Sequence, residues 1–309
     1  MDITIGICLG IGLAASAGFR VFVPLLVANL SSMLGLVHLS SGFEWMGTWV
    51  SFAVFLSATV FEIGGYYIPW LDNAHPLRGS RILEIGCGTG SSTVALAEQG
   101  AIVTGIDIDE DALIVARDRC TAYGLKASFM PLNGRQLAGT FQARSFDLII
   151  FFACLEHMTI KERLESLRQA WDLLPSNGLL AIIETPNRLW FYDEHTSHLP
   201  LFHWLPNELA FYYSKMSKRE NFRELYHDYF PETKQHFLRR GRGMSFHEID
   251  LAIAPVSTLN VISSLEEFGK YPRGTSALGS EFKAIMQRIV PDIHIGFFDE
   301  YLDLIFKKG

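Results

Sequence analysis

Cysteine is scarce in this chain of 309 residues, and its four copies, Cys8, Cys87, Cys120 and Cys154, stand far apart. No CxxC pair occurs. That excludes a disulfide framework and a compact zinc site, and leaves reduced, mostly buried thiols with no metal expected. Basic residues are also few, 26 against 33 acidic ones, for a net charge of −7. A general nucleic-acid binder needs a basic face, so nucleic acid is not an expected partner. Internal repeats and low-complexity tracts are missing as well. Charge of either sign nearly vanishes at the front, where residues 1–77 hold one basic residue, Arg20, and four acidic ones, Asp2, Glu44, Glu62 and Asp72. Hydrophobic residues make up 49% of the chain against 19% charged. The apolar excess therefore sits in the first quarter, and at about 150 residues per domain the length fits two units.

Residues 3–19 and 21–39 carry no Asp, Glu, Lys or Arg, and Glu62 is the only such residue from 45 to 71. About 20 apolar residues span a bilayer. Residues 1–75 thus read as an α-helical membrane anchor with two or three apolar spans. The stretch 3–39 forms one tilted span or a hairpin broken near Gly18-Phe19-Arg20 and Pro24. Trp45, Trp49, Tyr66, Tyr67 and Trp70 stand near the ends of the last span, where amphipathic rings favour the interface. A buried helical domain is the alternative, but so few charges leave little to cover its outer surface. Ala15-Ser16-Ala17 imitates a signal-peptide cleavage site, yet Asp2 stands where a basic n-region belongs and further apolar stretches follow. Arg20 either pairs with Glu62 between helices or snorkels to an interface.

The stretch Gly18-Phe19-Arg20-Val21-Phe22-Val23-Pro24-Leu25-Leu26, with Gly42-Phe43-Glu44-Trp45, Glu62 and Tyr66-Tyr67-Ile68-Pro69-Trp70-Leu71-Asp72-Asn73, resembles the front part of an uncharacterised family of small bacterial integral-membrane proteins. That resemblance covers about residues 1–74 and implies no activity. It implies a fusion of a membrane segment to a different domain.

From Ser80 strands and helices alternate, as in a parallel sheet. Arg81–Ile85, Ala101–Ile106, Ala127–Met130, Phe146–Phe152 and Leu179–Glu184 read as strands, and Asp109–Tyr123 and Ile160–Leu174 as helices. Met244–Ala254 and Phe297–Phe306 read as the last strands. The informative constellation is Glu84-Ile85-Gly86-Cys87-Gly88-Thr89-Gly90 with Asp107 closing the next strand. Glycines permit a sharp turn and close approach of a ligand to the backbone. The helix start beyond them favours an anionic group, and a carboxylate at the tip of the second strand can accept both hydroxyls of a ribose. The site is therefore built for a nucleoside with an anionic end. A dinucleotide fingerprint needs a third glycine where Ser91 stands. Glu84 would also repel a pyrophosphate but suits an ammonium and a sulfonium, which disfavours a nicotinamide oxidoreductase.

At these residues the chain resembles a class I S-adenosylmethionine-dependent methyltransferase. Ser145-Phe146-Asp147-Leu148-Ile149-Ile150, Leu155-Glu156-His157 and Leu174-Pro175-Ser176-Asn177-Gly178-Leu179-Leu180 extend the likeness over about 76–309, nearest to ubiquinone-biosynthesis-type enzymes. The resemblance implies an α/β fold with a Rossmann-like seven-stranded sheet, its last strand antiparallel, and S-adenosyl-L-methionine as cofactor. By position, Gly86, Gly88 and Gly90 would back the methionine part while Glu84 steadies the loop. Asp107 would hold the ribose, Ile108 would lie against adenine, and Asn133 with Gly134 would stand where an acidic pair often flanks the base. Ala153 replaces a frequent polar contact.

Methyl transfer from a sulfonium is an in-line displacement in which orientation alone supplies up to roughly 7–11 kcal/mol. A hydroxyl acceptor also benefits from a general base. His157 and His195 are the leading candidates, ahead of Glu184, Asp193, His198 and His203. Residues 188–243 read as a lid over the acceptor. Residues 188–230 include twelve aromatics, which either line a site for a small lipophilic molecule or pack the insertion's own core. Arg78 and Arg81 follow the last span while 38–47 lacks Lys and Arg, which puts the catalytic domain on the cytoplasmic side of a membrane. The resulting expectation is a membrane-anchored O-methyltransferase. A membrane protein whose attached module binds the cofactor without turnover is the alternative.

Overall fold

The computed structural model describes residues 22–40, 42–67, 77–225, 231–264 and 277–309. It divides into two compact units, residues 1–76 and 77–309.

In the first unit, helices Phe22–Met33 and Trp49–Tyr67 pack together beside a 3-10 turn, Glu44–Gly47. Asn29 is fully buried, and its amide nitrogen donates to the carbonyls of Met46 and Thr48, which pairs its donors, while its side-chain oxygen has no hydrogen-bond partner among the described residues. Trp49, Val50 and Val54 stay exposed on the second helix. No helix among the described residues is long and apolar enough to cross a membrane. The apolar stretch 3–19, Arg20 and Trp70 lie outside the described residues, as do the side chains of Glu62, Tyr66 and Tyr67, so the Arg20–Glu62 pairing lies outside them too.

In the second unit a seven-stranded sheet runs β3-β2-β1-β4-β5-β7-β6, with β1 Arg81–Ile85, β2 Ile102–Asp107, β3 Ser128–Pro131, β4 Leu148–Phe152, β5 Leu179–Pro186, β6 Asn260–Ser264 and β7 Tyr301–Lys307. The first five are parallel and β7 runs antiparallel to both its neighbours. Strands buried on both faces read as continuous apolar runs, and successive side chains alternate between two cores. Leu83, Ile149 and Leu180 join the larger core with Phe297 and Phe306, while Ile82, Ile150 and Ala181 join the smaller one. Strand order reverses between β1 and β4, and the crevice at the carboxyl ends of those strands is where an open α/β sheet holds its ligand.

Two expected strands need correction. Met244–Ala254 is largely the helix Phe246–Ala252, and β6 forms later, at Asn260–Ser264. Phe246, Ile249 and Ala252 recur at helical spacing and are buried, and Glu248 on the same helix reaches Arg163. Phe297 and Phe298 belong to a 3-10 turn, Ile295–Phe298, so β7 starts only at Tyr301.

Candidate active site

The glycine turn leaves β1 beside the end of β2, and Asp107 ties the two together. Its Oδ2 accepts from the Gly88 amide at 2.8 Å and its Oδ1 from the Asp109 amide at 3.0 Å. Each oxygen keeps a further lone pair for a ligand hydroxyl. Gly86 has φ +76°, and a Cβ there would lie 2.5 Å from the Cβ of Cys154, so only glycine fits between turn and β4. Glu84 is fully buried behind the turn, where both carboxylate oxygens accept from the hydroxyls of Ser92 and Thr93 on the next helix. Burial pushes its pKa up against those two hydrogen bonds.

A cavity of about 250 Å³ opens in front of this turn, walled in part by Gly86, Asp107, Ile108, Asn133, Gly134, Ala153 and His157. Five of the residues expected at the cofactor thus meet in one wall. Glu84, Gly88 and Gly90 stand outside it and shape the turn instead. The side-chain oxygen of Asn133 accepts from the Arg135 amide at 3.0 Å, which orients the side chain and leaves its amide nitrogen as a donor and a second oxygen lone pair as an acceptor toward a base.

A second cavity of about 600 Å³ is lined by His157, His195, Thr196, Arg219, Glu220, Asn221, Phe222, Arg240 and Gly241. His157 belongs to both walls. It sits in the turn Leu155–His157 after β4, and its Nδ1 lies 3.0 Å from the Arg239 carbonyl. A carbonyl only accepts, so Nδ1 carries the proton and the Nε2 lone pair remains.

His195 reaches the same tautomer by a longer chain. Its Nδ1 is 3.0 Å from Oγ1 of Thr196, and that hydroxyl donates its single proton to the Gly241 carbonyl at 2.9 Å. Thr196 must therefore accept from Nδ1–H, which leaves Nε2 of His195 as the basic atom. The two imidazole centroids are 6.4 Å apart. Burial holds His195 below the ordinary imidazole pKa, partly opposed by the charge of Asp193, so the ring is neutral at neutral pH.

Asp193 is not a base but an anchor. Buried, it accepts from the amides of His195, Thr196 and Ser197 and from the Ser197 hydroxyl, all within 3.0 Å. Burial alone would raise its pKa, but the hydrogen bonds from His203, Ser197 and Thr196 outweigh it and hold the carboxyl well below the usual range. His203 has Nε2 at 3.2 Å from Asp193, and its Nδ1 accepts from the Gly243 amide, so neither nitrogen is free. Glu184, at a left-handed position on β5, and His198 line neither cavity.

Arg163 locks this arrangement from below. It is 1% exposed. Its Nε donates to the carbonyls of Leu155 and Met158, which bracket His157 in sequence. Its Nη atoms reach the Arg242 and Gly243 carbonyls and the Glu248 carboxylate. Thr196, Arg219, Gly241 and Arg163 escaped sequence reasoning. Only the glycine inside Arg239-Arg240-Gly241-Arg242 was a signal: a Cβ there would lie 2.1 Å from the Thr196 hydroxyl. Four aromatics of the insertion, Phe202, Phe211, Phe222 and Phe237, cluster in a core of its own, and of these only Phe222 also reaches the second cavity.

A seven-stranded sheet with an antiparallel β7 and a glycine turn facing a β2 carboxylate defines an α/β nucleoside-binding domain. Residues 82–178 match the family described as a methyltransferase domain, and residues 7–77 match a domain of unknown function, DUF4126. Over 97 residues the chain is 37% identical to the ubiquinone biosynthesis O-methyltransferase of Aromatoleum aromaticum, covering 31% of this chain and 41% of that protein. The Pseudomonas aeruginosa enzyme of the same name is 34% identical over the same coverage. The chain thus spans about two fifths of the length of the curated relatives it matches. Among solved structures, a SAM-dependent methyltransferase from Methanosarcina mazei is 23% identical with a TM-score of 0.42, covering 63% of this chain and 86% of that one. The chain carries a methyltransferase domain of the S-adenosylmethionine-dependent class, and its cofactor is S-adenosyl-L-methionine.

Proposed function

We propose that this chain methylates a hydroxyl of a small acceptor, and does so at a lipid bilayer with its second unit on the cytoplasmic side. The observation that carries the catalytic reading is His157 standing in the walls of both cavities, so that the cavity of Asp107 adjoins the cavity of His195. The first cavity fits the cofactor: Asp107 offers lone pairs to a ribose, Ile108 an exposed apolar side chain to a purine, and Asn133 a donor to a ring nitrogen. When bound, S-adenosyl-L-methionine supplies a sulfonium-bound methyl group open to in-line displacement. His195 Nε2 would take the proton of the acceptor hydroxyl, leaving the oxygen as the nucleophile for that methyl group. His157 borders the path between the cavities. His195, Thr196, Arg219 and Gly241 from the insertion border the acceptor, with Asp193 and Arg163 holding the histidines in place.

Labelled-methyl transfer by the full chain against small-molecule and lipid extracts tests this. We expect a labelled product that His195→Gln suppresses by roughly 10²–10⁴-fold, the usual contribution of a general base. Full turnover by that variant removes His195 from the chemistry. Cofactor binding with no product from any extract makes the domain a binding module. The bilayer reading rests on the near absence of charge in residues 1–77 and on exposed Trp49, Val50 and Val54. Flotation with phospholipid vesicles tests it, and a chain that stays at the bottom of the gradient overturns it.

A further inference from the structure

The second cavity has a wall of unexpected chemistry. Phe202, Phe211, Phe222 and Phe237 of the insertion, which would suit a lipophilic acceptor, are spent on its own core. Among the described residues, what faces the space is largely polar: His157, His195, Thr196, Asn221 and two guanidinium groups, with Phe222 from that core. Arg219 is fixed there, because its Nη1 donates to the His195 carbonyl at 2.6 Å and the Thr196 carbonyl at 3.0 Å. The cation is thus held against the loop that carries the base. Its remaining nitrogens, and the side chain of Arg240, meet no carboxylate among the described residues. The one acidic side chain in the wall, Glu220, has Arg223 at 3.9 Å to offset it. The His195 imidazole adds no charge, since burial holds its pKa below the ordinary value. Among the described residues the wall thus carries two guanidinium groups against the single carboxylate of Glu220, a net positive balance, and a guanidinium fork matches a carboxylate or phosphate.

We propose that the acceptor bears an oxyanion, a carboxylate or a phosphate, received by Arg219 and Arg240 while its hydroxyl meets His195. This rests on the methyl-transfer reading and narrows its substrate to a polar, anionic hydroxy compound. The insertion then acts as an electrostatic clamp: it selects the acceptor by charge and fixes the distance between the oxyanion and the reacting oxygen. A lipid tail, if the acceptor has one, lies outside this cavity.

Calorimetry on the full chain with S-adenosylhomocysteine bound tests the proposal. The probes are phenyl phosphate and phenylacetate, set against their neutral counterparts phenol and phenylacetamide. We expect each anion to bind roughly tenfold or more tightly than its neutral partner, the scale of one charge-assisted contact. Arg219→Gln and Arg240→Gln should each erase most of that preference, and Arg219→Lys should restore part of it. S-adenosylhomocysteine affinity, measured on the same samples, should not move. Equal binding of charged and neutral probes, no binding of either anion, or a preference that survives both glutamine variants overturns the proposal. Failure of S-adenosylhomocysteine itself to bind the wild-type chain would instead strike the reading beneath it.

Discussion

The hydroxyl of Thr196 stands 3.0 Å from Nδ1 of His195 and passes its own proton to the Gly241 carbonyl, so one threonine sets the protonation of one histidine. Thr196 is a positioning residue. Thr196→Val removes the acceptor for Nδ1–H and frees the ring to adopt the other tautomer, so kcat should fall roughly tenfold or more with little change in KM, while Thr196→Ser restores it. Nitrogen-15 NMR of the histidine rings reads the tautomer without turnover. An Nε2–H signal for His195 in the wild-type chain would contradict the assignment.

Burial of His195 gives a pH profile with a definite sign. Its pKa lies below the ordinary imidazole value, so the neutral, basic form persists into mildly acidic solution. The acid limb of kcat should therefore fall below about pH 6.5, the unperturbed value. A limb centred above that value would assign the titration to another group.

Asp107 joins the glycine turn to the floor of the first cavity through the Gly88 amide. Asp107→Ala removes that tie and the ribose acceptors together. Hydrogen bonds to a charged group contribute about 1.5–3 kcal/mol each, so cofactor affinity should drop at least roughly tenfold. Unchanged affinity by calorimetry would place the cofactor elsewhere.

Glu156 is fully buried, and neither carboxylate oxygen has a hydrogen-bond partner among the described residues. Burial pushes its pKa up from 4.5 to about 7. A carboxyl raised in the folded state contributes its full stability below the unfolded pKa and loses it as pH rises through the folded one. Stability should thus decline between about pH 4.5 and 7, by up to about 3 kcal/mol from this group alone. Glu156→Gln stays neutral throughout, so its melting temperature relative to wild type should climb by several degrees from pH 5 to pH 8. A constant difference across that range would show that Glu156 ionises normally.

Arg163 and Glu248 form a buried pair at 3.2 Å. Removing one partner leaves the other charged and unpaired, so Arg163→Ala should cost about 3–5 kcal/mol. Adding Glu248→Gln should return part of that loss, and the difference between the two denaturation curves measures the coupling. Strictly additive effects would mean the pair is not coupled.

Much of the sheet was readable because β1, β2 and β4 are apolar runs bounded by turns, and because Asp107 and the glycines mark the strand ends. Gly86, Asp107, Ile108, Asn133 and Gly134 accordingly meet in one wall. In the wall of the second cavity, His157 and His195 were readable but the contacts that fix them were not. His157 meets the Arg239 carbonyl across 82 positions, and Thr196 meets Gly241 across 45, so no local pattern encodes either contact. Met244–Ala254 misled because Leu251 and Ile253, interleaved with Phe246, Ile249 and Ala252, mask the helical spacing of the buried face, and the partner of Glu248 lies on a distant helix. The rings of residues 188–230 left two readings open, and Phe202, Phe211 and Phe222 take the second, because an insertion must bury a core of its own.

The most direct test is a crystal structure of the full chain grown with S-adenosylhomocysteine. Density for the nucleoside against Asp107, Ile108 and Asn133, with its sulfur end directed toward the cavity of His157 and His195, is the predicted result. Density in any other cavity, or none between the glycine turn and His157 at saturating ligand, would contradict it.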